Sequence, residues 1–225
     1  MTTMRALLLV GSPRMAKSTS ETLGGYMLDR LEAQGVETEK LYVQRSLKST
    51  EKQDALVAAV AQADLVVLAA PLYVDSLPAP VIRVLEVLAQ RLNEHSRRQG
   101  QRLLAISNSG FPEAHHSDTA LAIYKRFAHE TGFAWAGGLA LGAGEPVKNQ
   151  SLADGRGLVC NVTKALDMAA EALARDELLP REAEDLMRQP LMPAGMYRTM
   201  GNLGWRLQAR QHGVQRKLRQ RVWKA

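Results

Sequence analysis

Short, continuous apolar runs alternate along this chain with longer segments of helical periodicity. The runs are residues 6–10 (ALLLV), 65–70 (LVVLAA) and 103–106 (LLAI). An unbroken apolar run is typical of a strand that is covered on both faces, as in a parallel sheet. Residues 37–43, which are charged and alternate in polarity, predict an edge strand, and residues 134–141 predict a fifth strand.

Apolar residues at helical spacing lie between these strands. The stripes are Leu23, Met27 and Leu31; Leu56, Ala59, Val60 and Ala63; and Val81, Val84, Leu85, Leu88 and Leu92. Further helices are predicted at about 117–131 and 154–174, and Ser18-x-x-Glu21 and Thr50-x-x-Gln53 resemble capping boxes. Five β-α repeats predict an α/β fold with three layers, a doubly wound, five-stranded parallel sheet of order 2-1-3-4-5.

The positive charge of the chain is concentrated at its C-terminal end. The formal net charge is +6, and residues 181–225 alone carry ten Lys/Arg against three Asp/Glu, so residues 1–180 are close to neutral. We therefore predict a main domain at residues 1–179 and a basic, amphipathic helical extension at 180–225. A single cysteine, Cys160, leaves no internal disulfide, and a reducing cytoplasm is the expected location. The first apolar run is too short to predict a signal peptide or a membrane span.

Ligands of such sheets bind at the carboxyl ends of the strands, where the strand order reverses. The segment 11–20 (GSPRMAKSTS) follows the first strand and combines four hydroxyl groups, two cations and the start of a helix. These groups predict a phosphate site, in which Arg14 would bind the anion through two hydrogen bonds. The alternative is that Ser18 only caps the helix and that Arg14 is solvated.

The same segment is one residue short of a Walker A loop. Lys17 and Ser18 occupy the places that bind phosphate and Mg²⁺ in that motif. Ala16 replaces its second glycine and Pro13 removes a backbone N–H, so we favour a phosphate site of another kind. A degenerate P-loop nucleotide-binding protein stays open as an alternative.

Three passages follow strands of the predicted sheet: GSPRMAKSTSETL after the first strand, PLYVDSLPAPVIRVLE after the third, and SNSGFPEAH after the fourth. Together they resemble the NADPH-dependent FMN reductases of the flavodoxin-like superfamily. The resemblance implies a flavodoxin-like fold, an FMN cofactor, and NAD(P)H as co-substrate. It implies FMN-binding residues in three groups: Ser12, Arg14, Ser18, Thr19 and Ser20 at the phosphate; Pro71, Leu72, Tyr73 and Val74 beside the ring and ribityl chain; and Asn108, Ser109, Gly110 and Phe111 along the isoalloxazine.

The function that this resemblance implies is transfer of electrons from NAD(P)H to a small acceptor such as a quinone, an azo compound or a free flavin. A flavin carries out the hydride step itself, so we expect no catalytic side chain and no metal ligand. An FMN-binding electron carrier without NAD(P)H turnover is the main alternative. The resemblance also implies a homodimer, or a tetramer, with the flavin near the subunit interface.

The C-terminal extension has a role that the main domain does not explain. Met196, Met200, Leu203 and Leu207 lie at helical spacing, and Val214, Leu218 and Val222 follow Gly213 with the same spacing, which predicts two helices. Three interpretations are open: packing on the domain or on a sister subunit, which we favour, peripheral contact with an anionic membrane, aided by Trp205 and Trp223, or binding to nucleic acid. Nucleic acid is the least favoured because no recognisable module accompanies the basic residues.

Overall fold

The computed structural model describes residues 3–92, 98–148, 150–218 and 220. Its sheet has five parallel strands in the order 2-1-3-4-5, which confirms the predicted topology. The strands are β1 (Arg5–Val10), β2 (Glu37–Tyr42), β3 (Leu65–Pro71), β4 (Arg102–Asn108) and β5 (Ala134–Leu141). The switch point between β1 and β3 is therefore where the sequence placed it.

Helices cover both faces of the sheet. One face carries α1 (Thr19–Glu32), α6 (Cys160–Ala174) and α7 (Arg181–Arg188), and the other carries α2 (Val43–Ser46), α3 (Thr50–Gln62), α4 (Ala79–Arg91) and α5 (Asp118–Thr131). Alternate residues of β1 enter the two cores, Leu8 on the first face and Leu7 on the second. This division accounts for the continuous apolar run, because both sets of side chains are buried.

Burial along the strands follows their position in the sheet. All residues of β4 are buried, and so are all but the last of β3 and all but the first of β1. No residue of the edge strand β2 is fully buried, whereas the other edge strand, β5, buries its last six residues under α5 and α7. The polar, alternating composition of residues 37–43 reflects the exposure of β2.

Two helix starts differ from the sequence prediction. The cap of α3 is Ser49, whose hydroxyl accepts from the Lys52 N–H, and not Thr50, which is the first helical residue. The helix predicted from about 154 begins at Cys160, and two short 3-10 turns precede it. Gly155 and Gly157 have φ angles of +56° and +63°, so they interrupt a right-handed helix.

The chain forms two compact units, Met1–Leu191 and Met192–Ala225. The first unit extends past the boundary that the sequence predicts at residue 180, because α7 packs against α6 and β5 and buries Ala183 and Met187. The sequence prediction contained no separate helix at α7. Pro180 before the helix and Glu182 in its first turn are the signals that favour one there.

The second unit contains α8 (Ala194–Gln211), which matches the first helix predicted in the extension. The second helix predicted there is wrong as far as residue 218, where the chain forms only a 3-10 turn over Gln215–Lys217. The spacing that predicted this helix consists of three apolar residues after Gly213, and the last of them, Val222, lies outside the described residues. Trp223 lies outside them as well. Among the described residues, no helix has both the length and the apolar character to span a bilayer.

Candidate functional site

The first loop of the site leaves β1 through a glycine with no room for a side chain. The Gly11 N–H donates to the Ala69 carbonyl of β3 (2.8 Å), so the chain stays close to the neighbouring strand. A Cβ atom at Gly11 would lie 2.5 Å from Cγ2 of Val81 and 2.8 Å from Cβ of Ala70. Glycine at this point lets the loop begin directly at the switch point.

Ser18 is the N-cap of α1, as predicted. Its hydroxyl accepts from the Glu21 N–H (3.1 Å) and donates its single hydrogen to the Met15 carbonyl (2.6 Å). The backbone N–H groups of Thr19 and Ser20 have no acceptor in the part of the chain that the structure describes. The N-terminus of α1 therefore presents two N–H donors together with the positive end of its dipole.

The hydroxyl groups of Thr19 and Ser20 hold the loops together. The Thr19 hydroxyl donates to the carbonyl of Gly144, which follows β5 (3.0 Å). The Ser20 hydroxyl donates to Oδ1 of Asn108 at the end of β4 (2.8 Å). These two predicted site residues therefore offer a ligand their backbone N–H groups, because their hydroxyl hydrogens already have acceptors.

Ser12 and Arg14 are the side-chain donors of the first loop. Ser12 is buried, and its hydroxyl accepts from the Arg14 N–H (3.3 Å) but has no acceptor for its own hydrogen among the described residues. The Arg14 side chain is 61% exposed and can reach a ligand above the loop. The loop thus has one hydroxyl, one guanidinium and two backbone N–H groups to offer an anion.

The second loop follows β3 and ends in a strained turn. The Leu72 N–H donates to the Asn108 carbonyl (2.8 Å), and Tyr73 and Ser76 exchange two backbone hydrogen bonds (2.9 and 3.1 Å). Between them Val74 and Asp75 have φ angles of +49° and +56°. A β-branched residue with positive φ is a conformational outlier, and such strain is often found in functional loops. The turn leaves the Val74 side chain 96% exposed and that of Tyr73 45% exposed.

The third loop is fastened to the segment after β5. The Ser109 N–H donates to the Leu141 carbonyl (2.9 Å), and its own carbonyl accepts from the Gly144 N–H (2.8 Å). The Phe111 carbonyl accepts from the Ala143 N–H (2.6 Å). The loops after β4 and β5 therefore form one hydrogen-bonded edge of the site.

Eleven of the thirteen predicted residues line one cleft of about 170 Å³. They are Ser12, Arg14, Ser18, Thr19, Ser20, Pro71, Leu72, Tyr73, Asn108, Ser109 and Gly110. Val74 and Phe111 are exposed and do not line it. The cleft also contains Glu145, which follows β5 and which no motif in the sequence singled out.

Glu145 is the acidic side chain that faces the predicted phosphate site. One of its oxygens lies 3.3 Å from Nη1 of Arg14, and the other lies 3.3 Å from Nζ of Lys148. Both partners in the Arg14 pair are more than half exposed, so the pair is weak. A phosphate that binds Arg14 therefore has to compete with this carboxylate.

A second ion pair compensates an acidic residue in the first turn of α1. The Glu21 carboxylate accepts from Nζ of Lys40 on β2 (2.6 Å), and its side chain is largely buried. This hydrogen bond is the main cause of the raised pKa of Lys40. Lys40 offsets a negative charge that would otherwise oppose an anion at the helix N-terminus.

His115 and His116 follow the third loop, and His116 contacts its phenylalanine. The His116 ring lies 4.6 Å from that of Phe111 and 4.5 Å from that of His115, measured between centroids. His115 is exposed and His116 is half-buried, in a 3-10 turn before α5. The three rings form an aromatic cluster beside the cleft, and neither histidine lines it.

The fold and the site together define a class of protein. Its members have a flavodoxin-like sheet with a cleft at the switch point, and the donors of that cleft suit an anion. The family described as NADPH-dependent FMN reductase matches residues 4–123, which is more than half of the chain. The chain belongs to this family. It is an NAD(P)H-dependent flavin oxidoreductase, and FMN is its cofactor. No curated protein matches the sequence.

Solved structures share the fold at low sequence identity. An FMN-dependent NADH-azoreductase from Bacillus anthracis in complex with FMN has a TM-score of 0.53 and 14% identity over 76% of this chain and 99% of its own. An NADH:FMN oxidoreductase in its apo form has a TM-score of 0.55 and 17% identity over 85% of this chain and 97% of its own. A rubredoxin oxygen:oxidoreductase from Desulfovibrio gigas has a TM-score of 0.52 and 14% identity over 76% of this chain, which spans only 35% of that protein's length.

Proposed function

We propose that the cleft holds FMN with its phosphate at the N-terminus of α1, and that the enzyme passes electrons from NAD(P)H to a small acceptor. A quinone, an azo compound or a free flavin is the acceptor class that we propose. The proposal rests chiefly on one observation: the free N–H groups of Thr19 and Ser20, the Arg14 guanidinium and the apolar wall of the second loop converge on one cleft at the switch point.

The phosphate end of FMN suits the donors that are present. A helix N-terminus with unpaired N–H groups is a common phosphate site, and a guanidinium adds a charge-assisted hydrogen bond. The buried Ser12 hydroxyl has a hydrogen to donate in the same loop. One phosphate uses these donors fully, which supports FMN over FAD.

The ring end of FMN suits the second and third loops. Leu72 is buried and Tyr73 is half-exposed, so together they offer an apolar and aromatic wall to a flat ring. The cleft volume of about 170 Å³ is smaller than the roughly 300–1,000 Å³ that usually encloses such a ligand. The cleft is therefore suited to the phosphate and ribityl chain, and Leu72 and Tyr73 would hold the ring.

FMN held in this cleft would supply the redox chemistry between NAD(P)H and the acceptor. The protein's part is to bind, orient and shield. The hydrogen bonds of Thr19 and Ser20 hold the N-terminus of α1 at a fixed distance from the ends of β4 and β5. Tyr73 and Leu72 exclude water from one side of the ring position. This mechanism requires no proton transfer by a side chain.

Apolar groups at the rim support a further part of the proposal, a homodimer or tetramer with the flavin near the interface. Tyr73, Val74 and Phe111 are all exposed beside the cleft. A second subunit that covered them would complete the enclosure of the ring.

A cytoplasmic location is proposed as well, which the single cysteine of the chain supports.

Anaerobic spectroscopy tests this function. The protein, reconstituted with FMN and freed of excess flavin, is expected to be yellow and to bleach on addition of NADPH or NADH. A quinone or azo dye added next should restore the colour. Bleaching by dithionite alone would identify an electron carrier. A colourless protein that binds ATP with Mg²⁺ would identify a P-loop nucleotide-binding protein instead.

A further inference from the structure

The second compact unit carries only positive charges. Residues 192–225 contain eight Lys/Arg and no Asp or Glu. Because the net charge of the whole chain is +6, residues 1–191 carry a net charge of −2. The positive charge of this protein therefore belongs to one short segment, which attracts an anionic partner.

The helix of this unit, α8, has a continuous apolar stripe that is open to solvent. Met196, Met200, Leu203 and Leu207 follow one another at intervals of four, three and four residues, which keeps them on one face. Their exposed fractions are 47%, 53%, 58% and 53%. With a rise of about 1.5 Å per residue, the stripe is roughly 16 Å long.

Two arginines border the stripe on one side. At about 100° per residue, Arg206 and Arg210 point about 80° and 40° away from the direction of Met196. Trp205, which the sequence analysis considered for a membrane interface, lies about 180° from Met196. It is 68% exposed, and it is not part of the stripe.

We propose that residues 192–225 bind the surface of an anionic lipid bilayer, with the apolar stripe of α8 facing the acyl chains. A basic amphipathic helix buries its apolar face at the headgroup boundary while its cations contact anionic lipids. The sequence from 216 to 224 contains five more Lys/Arg, which add positive charge to the same segment. A planar anionic surface meets both the stripe and the charges.

Other partners match only one of these two features. A second copy of the segment would cover the stripe but bring eight further cations against the first eight. A nucleic acid would neutralise the cations and leave the stripe exposed to water. The bilayer proposal concerns a surface outside the FMN cleft, and it holds or fails independently of the proposed reductase activity.

Sedimentation with lipid vesicles tests the proposal on the full-length protein. Binding is expected to phosphatidylcholine vesicles that contain phosphatidylglycerol, and not to vesicles of phosphatidylcholine alone. Because a Debye length of about 10 Å at 0.1 M salt shrinks to about 3 Å at 1 M, high salt should release most of the protein. The change Arg206→Gln with Arg210→Gln should lower binding about thirtyfold.

A matched pair of variants tests the stripe itself. Met200→Ser with Leu203→Ser should lower binding tenfold or more, because two apolar side chains are lost from the buried face. Trp205→Ser, which removes a larger exposed apolar group from the opposite face, should leave binding nearly unchanged. Because the substituted side chains are exposed, we expect each variant to keep α8. Circular dichroism of each variant checks this.

Several results would overturn the proposal. Failure to bind either kind of vesicle would do so, and so would equal binding to neutral and anionic vesicles. If the serine variants changed the oligomeric state without affecting vesicle binding, the stripe would be a contact between copies. If the arginine variants lost binding to a short DNA duplex while vesicles bound neither variant nor wild type, the partner would be nucleic acid.

Discussion

The Ser20 hydroxyl donates a hydrogen bond to Oδ1 of Asn108 over 2.8 Å. The two residues are 88 positions apart in the sequence, and both are buried. Their bond joins the first turn of α1 to the last residue of β4. The bond therefore fixes the N-terminus of α1, the proposed phosphate site, relative to the end of β4, the proposed ring site.

Replacing Ser20 by alanine tests this connection. Ser20→Ala leaves the buried Asn108 oxygen without that donor, and we expect the free energy of unfolding to fall by about 1–2 kcal/mol. Urea unfolding of Ser20→Ala, Asn108→Ala and the double variant measures the coupling. The double variant should be less destabilised than the sum of the two single variants. Strict additivity would show that the bond contributes nothing of its own.

Removing the charge of Glu145 should strengthen FMN binding. Glu145→Gln frees Arg14 from its carboxylate partner and takes a negative charge out of the cleft. Since an exposed ion pair contributes at most about 1 kcal/mol, the dissociation constant of FMN should fall roughly two- to fivefold. Glu113→Gln changes an acid outside the cleft and serves as the control. Weaker FMN binding by Glu145→Gln would mean that Glu145 helps to hold the cofactor.

Arg102 stabilises the C-terminal end of α6 from within the fold. Its side chain is 8% exposed and donates to the carbonyls of Leu173 (2.9 Å) and Glu177 (3.1 Å). Arg102→Met removes a charged donor from the buried Leu173 carbonyl and from the partly buried Glu177 carbonyl, so we expect the free energy of unfolding to fall by about 2–3 kcal/mol. Arg175→Met, at an exposed ion pair nearby, should change it by less than about 0.5 kcal/mol. Similar losses in both variants would contradict the role assigned to Arg102.

The sequence predicted the layers of this fold well because burial and strand order are directly related. A strand with two neighbours and helices on both faces has few polar positions away from its ends, and β1, β3 and β4 show this as continuous apolar runs. The edge strand β2 has a polar sequence instead, because its residues are not fully buried. The order 2-1-3-4-5 then follows from the β-α rhythm and the right-handed connections.

The site was predictable in its position and less so in its chemistry. Ser18, Thr19 and Ser20 were expected to present hydroxyl groups, yet their hydrogens are donated to Met15, Gly144 and Asn108. The bonds of Thr19 and Ser20 depend on where the end of β4 and the segment after β5 lie, which no local pattern reveals. Glu145 was missed for the same reason, since the fold alone brings it next to Arg14.

A tyrosine between α1 and α6 should make stability depend on pH at high pH. Burial, together with the hydrogen bond that its hydroxyl donates to Asp167 (2.9 Å), raises the pKa of Tyr26 from 10.0 to about 12. Between these values the unfolded chain loses the Tyr26 proton and the folded chain keeps it. The free energy of unfolding therefore falls as the pH rises from about 10 to 12.

Tyr26→Phe removes this dependence. Urea unfolding at intervals from pH 8 to pH 12 should give a steeper decline for the wild type than for the variant, with the difference confined to the region above about pH 10. Parallel curves for the two proteins throughout this range would show that the hydrogen bond to Asp167 does not hold the proton.

The central claim, that the N-terminus of α1 holds the phosphate of FMN, is tested most directly by comparing FMN with riboflavin. The two ligands share the ring and differ in the phosphate. Quenching of flavin fluorescence should show that FMN binds at least about a hundredfold more tightly, since several charge-assisted hydrogen bonds depend on the phosphate. Arg14→Ala should raise the FMN dissociation constant roughly 10- to 150-fold, with a smaller effect for Lys17→Ala and little effect of either change on riboflavin. Equal affinity of the wild type for both flavins, or no binding of either, would contradict the account.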